Sequence, residues 1–412
     1  MSDFIPLKSM PFNLHRRIVV PAKLTPITRH GMEVDPERAG LTQADTGAIW
    51  RAMRSMFRSG MNPAVGLCLR RRGEIIIDRT IGYRSPMSDE VMTPDTPVCL
   101  FSASKAVTAM LVHHLAEQGL IDLHDPISRY IPEYGCNGKE RTTVLHLLNH
   151  RAGLPRIREP VEPEVLFDTD RVKEILFSAE PETPSGVTQA YHAITGGYVL
   201  GELVERVTGE SLNAVLDRVI RQPMGMRYFS YGLDRSIPVA ENAATGVKLL
   251  PPLSTFVKHA VGGTLEQVVD VSNDPRFRDV VIPAGNIFST AEEASRFFQM
   301  LLNGGQWNGQ QIFHPETVKT AIRGASRRPL FDRSLMFPLR FSAGLMRGNP
   351  GMSIFGPGAP KAYGHLGFVS ILCWADPQRE LAGAILTTGK GIIGTHMPKF
   401  LRLQQVINQR CT

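Results

Sequence analysis

The placement of strand-like runs constrains this chain more than any other feature. Two such runs lie early, residues 64–69 (AVGLCL) and 74–83 (EIIIDRTIGY), joined by an Arg-Gly turn. Two more lie near the end, residues 368–376 (FVSILCWAD) and 381–388 (LAGAILTT), joined by the turn-like PQRE. Between about residues 119 and 283 the pattern is helical pieces separated by Pro and Gly, and TGGYVLGELVERVTG is the clearest amphipathic one. Strands at both ends with helices between predict one sheet assembled from the two ends of the chain. Hairpin connections make that sheet antiparallel, so the expected class is α+β rather than doubly wound. Residues 41–115 and 283–412 are expected to form a lobe with a central antiparallel sheet flanked by helices. Residues 116–282 form an inserted, mostly helical lobe. Residues 1–40, rich in Pro and Arg without a clear period, read as an irregular arm. A helix is predicted over 42–58, with Ile49, Met53, Met56 and Phe57 on one face, and another near the C-terminus (HMPKFLRLQQVINQ). The cleft between two lobes is a usual place for a site.

Composition narrows the class of function. The chain has 412 residues, 42% hydrophobic and 21% charged, an ordinary globular balance. No run approaches the roughly 18 apolar residues needed to span a bilayer. The N-terminus, MSDFIPLKSMPFNLHRRIVVP, has no continuous apolar core before a cleavage site, which predicts a cytoplasmic protein. The five cysteines are sparse and show no CxxC spacing, so neither a disulfide framework nor a cysteine zinc site is expected. His146 and His150 have the i, i+4 spacing of a zinc pair, but no HExxH glutamate or third ligand accompanies them, and both read as structural. No metal and no cofactor is expected, since nucleotide fingerprints and GxSxG are also missing. The net charge is +7. Its arginines are scattered, with Arg70-Arg71-Arg72-Gly73 reading as a hairpin tip and others at Arg323, Arg327, Arg328 and Arg333, so nucleic acid is not an expected partner. The oligomeric state is open, and a homo-oligomer is one possibility.

The stretch LFSASKAVTAML, residues 100–111, carries the chemistry. On a helix, positions i and i+3 share a face, which places Ser102 beside Lys105. Ser102 falls in the first turn, where unsatisfied N–H groups favour a developing oxyanion. Lys105 lies one turn further into an apolar helix. Desolvation lowers a lysine pKa, and a neutral amine can take a serine proton. Ser104 lies on a different face from Lys105, so Ser102 is the candidate nucleophile.

The context extends this pair. Downstream come TVLHLLNHRAGLP, Tyr191-His192-Ala193, Gln222-Pro223-Met224-Gly225-Met226, GNIFSTAEEASRFFQMLLNGG and Tyr363-Gly364-His365-Leu366-Gly367-Phe368. In this order the series resembles the class C β-lactamase-like serine hydrolases, which include penicillin-binding proteins and family VIII carboxylesterases. The resemblance covers about residues 45 to 405. It implies a serine β-lactamase/penicillin-binding-protein-like catalytic unit, with Ser102 as the acylated nucleophile and Lys105 as its lysine. Tyr191 matches the family tyrosine, and its phenol, near an ammonium, is expected to ionise below the reference value of about 10. His365-Leu366-Gly367 stands at the Lys-Thr-Gly position, so His365 and Gly367 belong to the substrate-binding edge. The implied oxyanion hole is the backbone N–H of Ser102 and of Phe368, the latter on an edge strand.

Two departures from the family pattern point to the substrate. Ala193 replaces an amide side chain. His365, only partly charged near neutral pH, replaces a permanent cation that would hold a substrate carboxylate. Both weaken the case for β-lactams and peptides and resemble the esterases of this superfamily. The expected partner is a small-molecule ester with a short to medium acyl group. Acyl transfer to an alcohol or amine, β-lactamase or peptidase activity, and a non-catalytic acyl-binding descendant are the alternatives.

Overall fold

The computed structural model describes residues 15–412 apart from Pro160, Pro252 and Met352. Its frame is a nine-stranded sheet of β1 (Thr28–His30), β2 (Ala64–Arg71), β3 (Glu74–Gly82), β4 (Leu330–Asp332), β5 (Phe337–Phe341), β6 (Met346–Arg347), β7 (Tyr363–Leu366), β8 (Leu372–Asp376) and β9 (Leu381–Thr387). The spatial order is β4-β5-β6-β7-β8-β9-β2-β3-β1. Every neighbouring pair is antiparallel. The two ends of the chain meet where β9 pairs with β2, Leu381 opposite Arg71 and Thr387 opposite Val65. The fold class is α+β, as the strand placement predicts.

Side-chain size on the central strands decides what covers each face. Period-2 alternation sends Val65, Leu67, Leu69, Leu372, Trp374 and Ile385 to one side. There they pack on α1 (Gln43–Phe57) and on the closing helix α5 (His396–Arg410). The opposite face carries small residues, Ala64, Cys68, Ala382 and Ala384, and lets α4 (Ala291–Leu302) bring Phe297 and Phe298 close. Both faces of the sheet are therefore covered. The helix α2 (Ser104–Glu117), apolar nearly all round, is buried against α3 (Thr195–Thr208). Among the described residues no helix is long and apolar enough to cross a membrane.

Three expectations need correction. The stretch read as an arm supplies β1, whose three residues pair with β3 at one sheet edge; the rest of the arm before residue 15 lies outside the described residues. Of Arg70-Arg71-Arg72-Gly73, only Arg72 and Gly73 form the hairpin tip. Arg70 and Arg71 lie in β2, each 5% exposed. Arg70 pairs with Glu292 and donates to Ser295, and Arg71 donates to the carbonyls of Ala39 and Gly40 at 3.1 Å. A buried guanidinium is tolerated here because it is satisfied. Finally, Phe368 is on no edge strand. The ladder ends at Leu366, the Gly367 N–H donates to the Ile371 carbonyl at 2.9 Å, and β8 starts only at Leu372. β7 itself is interior, since β6, β5 and β4 continue the sheet beyond it.

Candidate active site

Ser102 sits in a single 3₁₀ turn, Phe101–Ala103, that leads directly into α2. The residue before it, Phe101, has φ +47°, a left-handed conformation costly for a side chain with a Cβ. Packing holds it there. The Leu100 N–H donates to the Ile287 carbonyl at 2.8 Å, and the Phe101 ring lies 5.7 Å from that of Phe368. Ser104 turns away, as expected, and its Oγ accepts from the Ile287 N–H at 3.0 Å.

Lys105 is 9% exposed, and its Nζ lies 3.1 Å from Ser102 Oγ and donates to the Ala284 carbonyl at 2.9 Å. Among the described residues it has no carboxylate partner within salt-bridge distance. Burial without a counterion pushes its pKa down to about 7. A large fraction of the amine is therefore uncharged at neutral pH, with its lone pair available to the Ser102 hydroxyl.

Tyr191 completes the cluster. Its ring centroid is 5.1 Å from Lys105 Nζ, and its hydroxyl is on the side of Ser102, which acts to lower the phenol's pKa against the larger effect of burial. The Tyr191 N–H donates to Asp332 Oδ1 at 3.1 Å, and the ring packs on His150 at 4.7 Å. The expectation that this phenol ionises early is overturned. Burial pushes its pKa above the ordinary range, and the neighbouring amine is not a fixed cation. Tyr191 rests as a neutral phenol.

His365 is 1% exposed, with Nδ1 2.6 Å from the Leu366 carbonyl and Nε2 buried without a partner among the described residues. Burial, aided by Lys105, lowers its pKa to about 3. The imidazole is thus neutral, not partly charged as expected. With Nδ1 donating to Leu366, Nε2 carries a free lone pair.

Gly367 explains how the hairpin loop reaches Ser102. A Cβ there would stand 2.4 Å from the Leu100 carbonyl oxygen, so only glycine allows this approach. The approach brings Phe368 against the turn of Ser102. Among the described residues the backbone N–H groups of Ser102 and Phe368 donate to no protein acceptor.

Two residues not singled out from the sequence brace this arrangement. Lys390 is fully buried, its Nζ donates to the carbonyls of Phe368 at 2.8 Å and Thr387 at 2.7 Å, and it lies 4.6 Å from the Phe101 ring. One amine thus touches the residues on both sides of the paired N–H groups. A lone lysine after the apolar run LAGAILTTG is the signal that could have found it. Asp332, buried on β4, accepts from Tyr191, Ser334 and Leu335 N–H groups, and nothing in its arginine-rich surroundings marks it. The two histidines with zinc-like spacing are separate. His146 Nδ1 accepts from the Thr143 N–H in a capping box, whereas His150 Nδ1 accepts from the His192 N–H.

The cluster opens on a cavity of about 590 Å³ lined by Ser102, Tyr191, Ala193, His365, Gly367 and Phe368 together with apolar side chains such as Val165, Leu166, Ile194 and Val268. The segment 246–263 contributes Lys258, Gly262 and Gly263, and 335–346 contributes Leu335 and Met346.

The family model described as Beta-lactamase matches residues 53–405. The chain belongs to that family. It is a β-lactamase-fold serine hydrolase, and the resemblance read from its motifs is to the right group. A curated relative, "Esterase/beta-lactamase LipL" of Mycobacterium tuberculosis, is 29% identical over 351 residues, covering 82% of this chain and 80% of the relative. Among solved structures, a penicillin-binding protein homolog from Caulobacter crescentus is 26% identical with a TM-score of 0.78, covering 90% of this chain and 99% of that one. A family VIII carboxylesterase is 25% identical with a TM-score of 0.76 over the same shares.

Proposed function

We propose that the protein is a carboxylesterase that works through an acyl-enzyme on Ser102. The observation that carries this reading is the bare amine of Lys105, buried, without an ion pair and 3.1 Å from Ser102 Oγ. As Oγ attacks the ester carbonyl, uncharged Lys105 takes its proton. The tetrahedral oxyanion lies between the N–H groups of Ser102 and Phe368, which have no other acceptor to leave. Lys105, now an ammonium, returns the proton through the Tyr191 hydroxyl to the departing alkoxide. Tyr191 acts as a relay because its phenol is neutral at rest. Water then repeats the sequence on the acyl-enzyme and releases the acid.

The substrate class follows from what surrounds the serine. Ala193 and neutral His365 supply neither an amide nor a fixed cation beside the nucleophile, so a neutral ester fits there without either. Esters also have better leaving groups than unstrained amides. The apolar lining suits a short to medium acyl chain. Hydrolysis of p-nitrophenyl butyrate by the wild type and by Ser102→Ala tests the reading. Turnover is expected in the wild type, with a loss of several orders of magnitude in the variant. Turnover that survives in Ser102→Ala refutes it.

A further inference from the structure

The hairpin of β4 and β5 carries more exposed apolar surface than its place in the sheet requires. β4 is the outermost strand on its side. Leu330, Phe331, Met336 and Phe337 are 37%, 53%, 57% and 38% exposed. Phe331 stands opposite Pro338, and Asp332 opposite Phe337, so strand alternation puts the two phenylalanines on opposite faces of the ribbon. The face that carries Asp332 and Leu339 packs on the protein, so Phe331 and Pro338 form the outer face while Leu330, Met336 and Phe337 reach solvent at its rim.

The charges agree. Arg327, Arg328 and Arg333 are exposed, and among the described residues none of them has an ion-pair partner. The one acid between Arg323 and Arg340 is Asp332, which is buried and engaged with the Tyr191 N–H. These three arginines flank β4 in the sequence and so stand together at one end of the sheet. Charge and proline commonly blunt a sheet edge, but bare aromatic side chains defeat that purpose unless something covers them. Apolar side chains interleaved with unpaired arginines, on a chain of net charge +7, match an anionic lipid surface.

We propose that the hairpin of residues 330–338 docks the protein onto an anionic lipid surface and presents the cavity to esters held there. The second half of this statement rests on the esterase reading; the first does not. The hairpin and the site form one unit. Leu335 lines the cavity, Asp332 holds the Tyr191 backbone, and Gln189 Nε2 donates to the carbonyls of Leu330 and Leu339 at 3.2 and 3.3 Å. A second copy pairing along β4 is a poorer occupant, because the strand offers three residues and begins next to Pro329.

Co-sedimentation of full-length Ser102→Ala protein with phosphatidylglycerol or phosphatidylcholine vesicles tests the docking without turnover. Binding to phosphatidylglycerol, weak binding to phosphatidylcholine and weakening with added salt are expected. Arg327→Ser/Arg328→Ser should weaken binding about fivefold for each arginine removed. Phe331→Ser should weaken it in both low and high salt. Both variants, made in the active protein, should hydrolyse soluble p-nitrophenyl butyrate as the wild type does. Absence of binding to phosphatidylglycerol overturns the proposal, as does binding that both variants retain. A dimer in sedimentation velocity that Phe331→Ser dissociates, with no vesicle binding, assigns the surface to a second copy and also overturns it. Hydrolysis by Ser102→Ala would sink the esterase reading while leaving the vesicle result standing.

Discussion

At the scale of single residues, Lys105 is a lysine that is not always charged. Only the uncharged Lys105 amine can accept the Ser102 proton, and burial brings its pKa down to about 7. The value of kcat/KM for a neutral ester should therefore rise with pH through about 7, and a rate–pH profile that is flat or falling there would contradict the assignment. The same amine costs stability. Its folded pKa lies below the unfolded one, so below the unfolded value the unfolded chain binds the extra proton and gains relative to the folded one. Lys105→Met should lose activity about 10³-fold or more yet melt no earlier than the wild type in a calorimetric scan. Lys390 braces the Phe368 loop from behind. Lys390→Met leaves the Phe368 carbonyl without its donor and loosens the loop that carries the Phe368 N–H. Steady-state kinetics should show kcat down by about 10²-fold with KM little changed. The Ser102–Lys105 pair was legible because helix spacing alone puts both on one face. The ionisation states were not, because the burial that keeps Tyr191 and His365 neutral comes from side chains far away in sequence, among them Phe341 and His150.

Among the elements, the contact that matters most is between a strand end and a helix start. The loop after β7 lies on the turn before α2, and Gly367 is the point of closest approach. In Gly367→Ala the new Cβ meets the Leu100 carbonyl oxygen, which is backbone and cannot swing aside. The variant should lose about 1–3 kcal/mol of stability by denaturant unfolding, and its kcat should fall further than partial unfolding explains. Unchanged kcat in a folded variant would separate the loop from the reaction. The central strands were legible because they are apolar runs closed by turn signals. β1 and β4–β6 were not, since they are two to five residues long and include exposed, polar or proline positions whose pairing comes from the rest of the sheet. Arg70 and Arg71 misled for a related reason. Charge in a sequence suggests a surface, and the partners that bury these guanidiniums come from Glu292, Ala39 and Gly40.

For the whole molecule, a sheet joined from the two ends of the chain and the segments between them leave a cavity lined by Ser102 and by largely apolar side chains. The α+β class and the family were both readable, because strand placement and several spaced motifs are properties of the entire chain. The proposed substrate class rests on less, one neutral histidine and one alanine. A chromogenic cephalosporin should accordingly be turned over with a kcat/KM about 10²-fold or more below that for p-nitrophenyl butyrate, given that a missing charged hydrogen bond costs a few kcal/mol. Equal efficiencies would mean that the His365 position does not set the preference. The proposed acyl-enzyme is tested by the mass of the intact protein quenched during turnover of p-nitrophenyl butyrate. One butyryl group per chain is expected, mapped by peptide digestion to Ser102. A butyryl group on another residue, or rapid turnover by a protein that carries no adduct on Ser102 even when a slow-leaving carbamate is used in place of the ester, would contradict it.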